Sequence, residues 1–287
     1  MASASGIDTV AIVGGGFMGT GIAEAVAVAG LPVVVCDVDE ASIERGRARI
    51  ESSLAESVRG AKLDGAVADD ARARIELTTE LDAIAGADLV IEAVPEQLDV
   101  KLAVMKGIDS VVPEQTIVAS NTSAIPITQL AHALRHPERV LGMHFFPPVP
   151  EVALVEIIVG LDTSREAVDT AKSFAKRLGK TVIETKDRSG YIVNMLLVPY
   201  LLAAVRMYED GFASREDIDT GMKLGCAHPM GPLTVCDLIG LDNLYAVCDS
   251  LYKEYKRNEY APPPLLKRMV ASGHLGRKSG RGFYDYQ

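Results

Sequence analysis

The stretch IDTVAIVGGGFMGTGIAEAVAVAGLPVVVCD (residues 7–37) decides the fold of this 287-residue chain. An apolar run from Ile7 to Val13 ends in Gly14-Gly15-Gly16-Phe17-Met18-Gly19, which satisfies GxGxxG through Gly14, Gly16 and Gly19. Residues 21–29 are small and helix-compatible, Gly30 stops them, and a second apolar run over 33–36 ends in Asp37. The glycines let backbone approach a pyrophosphate, and the helix start supplies N–H groups and positive dipole. An acid roughly 20 residues further on is placed for the adenosine ribose hydroxyls. A bare GxGxxG is weak evidence. Set between a strand and a helix, with an acid closing the next strand, it predicts a dinucleotide site on Gly14, Gly16, Phe17, Met18, Gly19 and Asp37. The residues after Asp37 are Val38, Asp39 and Glu40, with no basic group to receive a 2′-phosphate. NAD is therefore expected rather than NADP.

Beyond Asp37 the strand–helix alternation continues. A polar helix from about Glu40 to Arg59 and a segment reaching about Asp70 exceed a simple connection, and read as a helical hairpin projecting from the sheet. Ser53, Arg59 and Lys62 there offer donors to an anionic ligand, or belong to a solvated face. Strands are expected over 75–78, 87–94, 115–119 and 180–185. A helix is expected to start at Pro95-Glu96, and a Thr163-x-x-Glu166 capping box to open another. Ligands of open α/β sheets gather at strand carboxyl ends, which puts Glu96 and Ser123 where chemistry is expected. A serine at a strand end is equally an ordinary helix cap.

From residue 187 the pattern is helical: 192–209, a helix capped by Ser214-x-x-Asp217, one near 233–255, and one over 264–272. The expected fold is an α/β Rossmann-like domain with extra strands over residues 1–186, followed by an all-α domain over 187–287. Asn194 is the notable polar residue of the first, apolar helix. It either caps a backbone group or faces a cleft between domains, where pockets concentrate.

Composition narrows the function. A net charge of −10 argues against nucleic acid, which needs a basic surface. No apolar run approaches the ~20 residues of a membrane span, and the longest candidate, 195–205, holds Pro199. The N-terminus lacks the basic start and apolar stretch of a signal peptide, so a cytoplasmic protein is expected. Cys36, Cys226, Cys236 and Cys248 show no metal-ligand spacing and read as small buried residues; no metal is expected.

A second stretch, VLGMHFFPPVPEVALVEIIVG (residues 140–160), reads as two apolar strands joined by a proline-rich turn. Each strand carries one polar residue that apolar packing does not explain, His144 in the first and Glu156 in the second. A buried carboxylate is costly without a partner, and a histidine on the neighbouring strand is such a partner. The pair is either a structural ion pair or a histidine tuned as a general base. The stretch alone leaves both open.

Taken in order, GxGxxG with Asp37, Ser120-Asn-Thr-Ser123, Gly142-Met-His144-Phe-Phe, Leu154-Val-Glu156, Gly190-Tyr-Ile-Val-Asn194 and His228-Pro-Met-Gly-Pro232 resemble the 3-hydroxyacyl-CoA dehydrogenase family. The resemblance is nearest to its short-chain 3-hydroxybutyryl-CoA branch and runs to the tail at 276–284. It implies a Rossmann domain with extra strands, a helical dimerisation domain and hence a homodimer. It also implies NAD as cofactor and an acyl-CoA thioester as substrate. It gives His144 the role of base and Glu156 that of the carboxylate orienting it. Ser123 and Asn194 match residues that position substrate and nicotinamide. Asp37, Glu96, Lys101 and Lys278 fall on NAD contacts, and Ser53 on a CoA contact.

Two positions depart from the family pattern. Pro147 stands where relatives carry an asparagine after His-Phe-Phe, and Gly60 where they often carry a lysine for the CoA phosphate, leaving Arg59 or Lys62 to substitute. These departures keep open the same hydride chemistry on acyl carrier protein or on a free hydroxy acid. A catalytically idle NAD-binding protein is opposed by the four intact positions His144, Glu156, Ser123 and Asn194.

Overall fold

Short runs of β-branched residues, buried along their length and alternating with helices, can satisfy both faces only inside a helix-covered, mostly parallel sheet. The computed structural model describes residues 6–286 and has that architecture in the first of two compact units, Met1–Asp187 and Arg188–Gln287. The strands are β1 (Val10–Val13), β2 (Val33–Cys36), β3 (Ile75–Thr78), β4 (Leu89–Glu92), β5 (Ile117–Ser120), β6 (Val140–Phe145), β7 (Leu154–Val159) and β8 (Thr181–Lys186). They form one eight-stranded sheet in the order β3-β2-β1-β4-β5-β6-β7-β8. Neighbours run parallel except β6 and β7, which are antiparallel. Strand order reverses between β1 and β4, so the glycine loop leaves the sheet at its switch point.

Helices α1 (Phe17–Val28), α2 (Glu40–Arg59), α3 (Gly65–Ala73), α4 (Leu98–Val111), α5 (Ile127–Ala131) and α6 (Arg165–Arg177) complete the unit. Its core joins Ile12, Ile22, Val26 and Val35 to Ile91, Met143, Phe145, Ile157 and Phe174. Several expectations need correction. The α2–α3 pair does not stand off the sheet: Ile50, Leu54, Ala68 and Ala71 are in the core with α1, and the exposed part is the α2 end and the turn after it. The helix expected at Pro95 starts at Leu98, leaving Glu96 in the preceding loop. The cap of α6 is Ser164, which accepts from the Ala167 N–H, while the Thr163 hydroxyl donates to the Val140 carbonyl. Helix α5 was not expected from the sequence.

The second unit consists of α7 (Val193–Glu209), α8 (Arg215–Gly225), α9 (Pro232–Ile239), α10 (Leu241–Tyr255) and α11 (Pro264–Ala271) around Leu201, Leu202, Val205, Leu233, Leu244 and Leu251. Ser214 caps α8 as expected, accepting from the Asp217 N–H. The single helix expected near 233–255 is two, broken at Gly240, whose φ of 95° is open to glycine and costly for other residues. The tail folds back on Asp237, which accepts from the Phe283 and Tyr284 N–H groups and the Tyr286 hydroxyl. Cys36, Cys236 and Cys248 are buried, and burial pushes the Cys248 thiol up to about 12; Cys226, contrary to expectation, is exposed. Among the described residues no helix is long and apolar enough to cross a membrane.

Candidate active site

The glycine loop meets the demands of a dinucleotide. Gly14 has φ 109°, and a Cβ there would lie 2.7 Å from the Ala93 backbone. A Cβ on Gly19 would lie 1.8 Å from the Gly14 carbonyl oxygen, so this glycine sets how closely α1 packs on the loop. A Cβ on Gly16 would meet nothing within 4 Å, so the loop is open on that side. No side chain caps α1, which leaves its first N–H groups for an anion. Asp37 closes β2 and accepts from the Gly15 N–H at 2.7 Å and the Val38 N–H at 2.6 Å. Phe17 is exposed and Met18 half-buried beside this opening. These residues fit an NAD-type dinucleotide: a tight turn, a bare approach and an acid at the second strand's end, with acids rather than bases following it.

Further along the same sheet, antiparallel pairing sets His144 of β6 directly opposite Glu156 of β7. The His144 Nδ1 to Glu156 Oε2 distance is 2.7 Å, and the residues are 4 % and 0 % exposed. Against a carboxylate, Nδ1 carries the proton and donates, which makes Nε2 the basic nitrogen. The Phe146 ring tilts against the imidazole with centroids 4.4 Å apart and covers one face of it. A histidine held this way can take a proton and share the resulting charge with its partner.

Between these two features, at the ends of β4 and β5, lies the Ser120–Ser123 loop. The Ser120 hydroxyl donates to Glu92 Oε2 at 2.6 Å, and Asn121 Oδ1 accepts from the Phe145 N–H at 2.9 Å, tying the loop to the strand of His144. Glu96 Oε1 accepts from the Thr122 hydroxyl and from the Ser123 and Ala124 N–H groups. Ser123 caps no helix, because the residue before α5 is Pro126. Lys101, expected from the resemblance to contact NAD, is 1 % exposed, with its ammonium on Glu92, Val94 and Glu96. Glu92, Ser120, Asn121 and Thr122 were not singled out in the sequence as site residues. Glu92 carried the same signal as Glu156, an acid interrupting an apolar strand.

Ser53 lies on α2 and, with Lys62, lines a cavity of 360 Å³ walled by Gly21, Arg49 and the loop from Pro148 to Glu151; Arg59 does not line it. Arg49 reaches the Gly15 carbonyl at 3.3 Å, and Lys62 pairs with Glu151 at 2.9 Å across exposed surface. Glu24, also in the wall, is 2 % exposed; burial pushes its carboxyl up, and a hydrogen bond from Ser53 works the other way. Pro147 and Gly60, the two departures from the family pattern, are both exposed.

In the second unit, Asn194 is half-buried in the first turn of α7 and is not its cap, since the helix starts after Ile192. Lys278 lies in the tail and pairs with Asp242 at 2.7 Å.

The family model described as "3-hydroxyacyl-CoA dehydrogenase, NAD binding domain" matches residues 9–188, and that described as "3-hydroxyacyl-CoA dehydrogenase, C-terminal domain" matches residues 190–286. The chain is 48% identical over 282 residues to a 3-hydroxybutyryl-CoA dehydrogenase of Mycobacterium tuberculosis, covering 98% of this chain and 99% of that protein. The crystal structure of M. tuberculosis FadB2 superposes with a TM-score of 0.97 at 48% identity, covering 98% of this chain and 99% of that one. That of the (S)-3-hydroxybutyryl-CoA dehydrogenase PaaH1 from Ralstonia eutropha superposes with a TM-score of 0.92 at 47% identity and the same coverage.

Proposed function

The chain belongs to the 3-hydroxyacyl-CoA dehydrogenase family and is an NAD-dependent oxidoreductase, and from that premise we propose that it interconverts a short-chain 3-hydroxyacyl-CoA, of the 3-hydroxybutyryl type, and the 3-oxoacyl-CoA. The observation that carries this reading is the buried His144–Glu156 pair at 2.7 Å. NAD, when bound, accepts the hydride from C3 of the acyl group. His144 Nε2 takes the hydroxyl proton, and Glu156 holds the ring and offsets the charge that develops on it. Ser123 and Asn194 hydrogen-bond the reacting oxygens and hold the acyl group in line. Gly14, Gly16, Phe17, Met18, Gly19, Asp37 and Glu96 serve the cofactor in the first unit and Lys278 in the second. Ser53 and Lys62 serve the CoA carrier in their cavity.

A homodimer formed through the helical unit belongs to the same reading. Leu196, Phe212 and Leu224, exposed by 73 %, 79 % and 80 %, are the apolar surface that supports it. Sedimentation of the pure protein at the monomer mass would overturn that part.

A second reading keeps the chemistry and changes the carrier. Glu24, Glu56 and Glu151 line the Ser53 cavity beside Arg49 and Lys62, so an anionic nucleotide must compete for both cations. Rates on acetoacetyl-CoA, acetoacetyl-acyl carrier protein and free acetoacetate decide between the readings. A kcat/KM highest for the CoA ester supports the first; preference for either alternative overturns it.

A further inference from the structure

The loop from Phe146 to Ala153 joins the strand of His144 to that of Glu156 and carries Pro147, Pro148 and Pro150. We propose that Lys180 is a positioning residue for the CoA carrier: its ammonium holds the Val149–Val152 turn of this loop in place as one wall of the Ser53 cavity. This rests on the assignment of that cavity to the carrier.

The composition of the loop creates the need. Proline has no backbone N–H, so three prolines in four residues leave Val149 as the sole main-chain donor of that stretch. The turn closes on itself through the Pro148 carbonyl, which accepts from the Glu151 and Val152 N–H groups, each at 3.0 Å. The Val149 and Val152 carbonyls take their donor from outside: Lys180 Nζ donates to the first at 2.5 Å and to the second at 2.9 Å.

The lysine is built in for this task. It follows α6 at Gly179, whose φ of 73° turns the chain back toward the sheet. The Lys180 N–H donates to the Ala175 carbonyl at 3.1 Å, and the Thr181 N–H to the Ala153 carbonyl at 2.7 Å, so the backbone is tied on both sides of the side chain. That side chain is buried, and burial pushes its ammonium below the usual lysine range. Among the described residues no carboxylate pairs with it. A buried cation without an anion is costly, and here the two loop carbonyls are what it holds.

From its other side the turn leans on α1. Val149 is in the core, and a Cβ on Gly21 would lie 3.1 Å from the Val149 Cβ. Clamped between α1 and Lys180, the loop turns Pro148, Val149, Pro150 and Glu151 to the Ser53 cavity. Glu151 carries Lys62 with it at 2.9 Å, so the turn also sets where that cation stands. Lys180 is not in this wall. It lines a neighbouring cavity of 520 Å³ that Pro150 and Glu151 share with the first, and so stands behind the turn. His144 is secured separately, since Phe145 pairs with Val155 and its N–H donates to Asn121. Loosening the turn therefore reaches the carrier and leaves the proton transfer in place.

The test compares Lys180→Met with the parent and with Ser53→Ala. Hydrogen exchange at the Glu151 and Val152 amides is followed in the ligand-free chain. Kinetic constants are taken with acetoacetyl-CoA and with the N-acetylcysteamine thioester of acetoacetate, which lacks the nucleotide, and NADH affinity is measured by fluorescence titration. Lys180→Met is expected to speed exchange at both amides about tenfold or more. It should raise KM for acetoacetyl-CoA about tenfold, with kcat within about threefold, and leave both KM for the truncated thioester and NADH affinity within about twofold. A raised KM with exchange unchanged would overturn the proposal in favour of a direct contact between Lys180 and the carrier. A loss of NADH affinity, or of kcat on both thioesters, would overturn it too, as would a lower melting point with exchange and KM unmoved. Unchanged KM in Lys180→Met beside a raised KM in Ser53→Ala defeats this inference alone. Unchanged KM for acetoacetyl-CoA in Ser53→Ala defeats the assignment of the cavity, and this inference with it. Should Lys180→Met not fold, Lys180→Gln, whose amide keeps donors at shorter reach, is read in the same way, with smaller changes in the same directions expected.

Discussion

Replacing Glu156 by glutamine separates a catalytic carboxylate from a structural one. Glutamine keeps the volume and leaves an amide oxygen to accept from His144 Nδ1, so the imidazole keeps its orientation. What disappears is the negative charge that offsets the imidazolium as the substrate proton arrives. With Oε2 at 2.7 Å from Nδ1 and both groups buried, the relevant charges are close. Two unit charges about 4 Å apart at an effective dielectric of about 20 interact by ~4 kcal/mol. The neutral hydrogen bond that glutamine retains returns ~1 kcal/mol of that. The remaining ~3 kcal/mol corresponds to a fall in kcat of roughly 10²-fold. Initial rates at saturating acetoacetyl-CoA and NADH measure it, beside NADH titration and a melting curve. The expected result is a large loss of kcat with NADH affinity unchanged. A kcat within about threefold of the parent, with only the melting point lowered, would refute the reasoning and make the pair structural.

Further outcomes follow from the same geometry. Gly19→Ala should prevent folding of the loop, because its Cβ would lie 1.8 Å from the Gly14 carbonyl oxygen. Gly16→Ala, whose Cβ meets no protein atom, should keep its melting point and lose NADH affinity about tenfold or more by filling the pyrophosphate approach. Asp37→Ser should raise the NADPH-to-NADH ratio of kcat/KM by about tenfold or more, since the acid that repels a 2′-phosphate is gone. Burial alone would raise the Asp109 carboxyl, but the side chain and N–H of Arg135, with Arg139, outweigh it and hold it below the usual carboxylate range. Its stabilisation is therefore complete above the unfolded value of about 4 and lost as pH falls through the lower folded one. Asp109→Asn should lower stability at neutral pH by ~3 kcal/mol and flatten the acid branch of urea melts taken across that range.

How much was legible depended on how each residue departs from its surroundings. The strands were legible because β-branched runs repeat, and the glycine loop because it sits between one such run and a helix. His144 and Glu156 stood out as single polar residues in apolar strands, and antiparallel register then set them opposite each other. Glu92 carried the same signal but lacked a visible partner. Lys101 belongs to a helix beyond it, and a lysine reads as solvent-facing because its stem hides how deep the ammonium lies. The break at Gly240 was lost because apolar periodicity continues across it. At α6 two hydroxyl residues compete for one cap, and the bond from Thr163 to the Val140 carbonyl decides for Ser164. Where Ser123 points was not readable at all, since the Asn121 and Glu96 contacts that hold its loop come from 24 and 27 residues away.

The most direct test of the central claim is NADH oxidation with acetoacetyl-CoA by the parent chain and by His144→Gln. The account predicts rapid turnover that falls about 10²–10⁴-fold in the variant while NADH still binds. Undiminished turnover in the variant would contradict it.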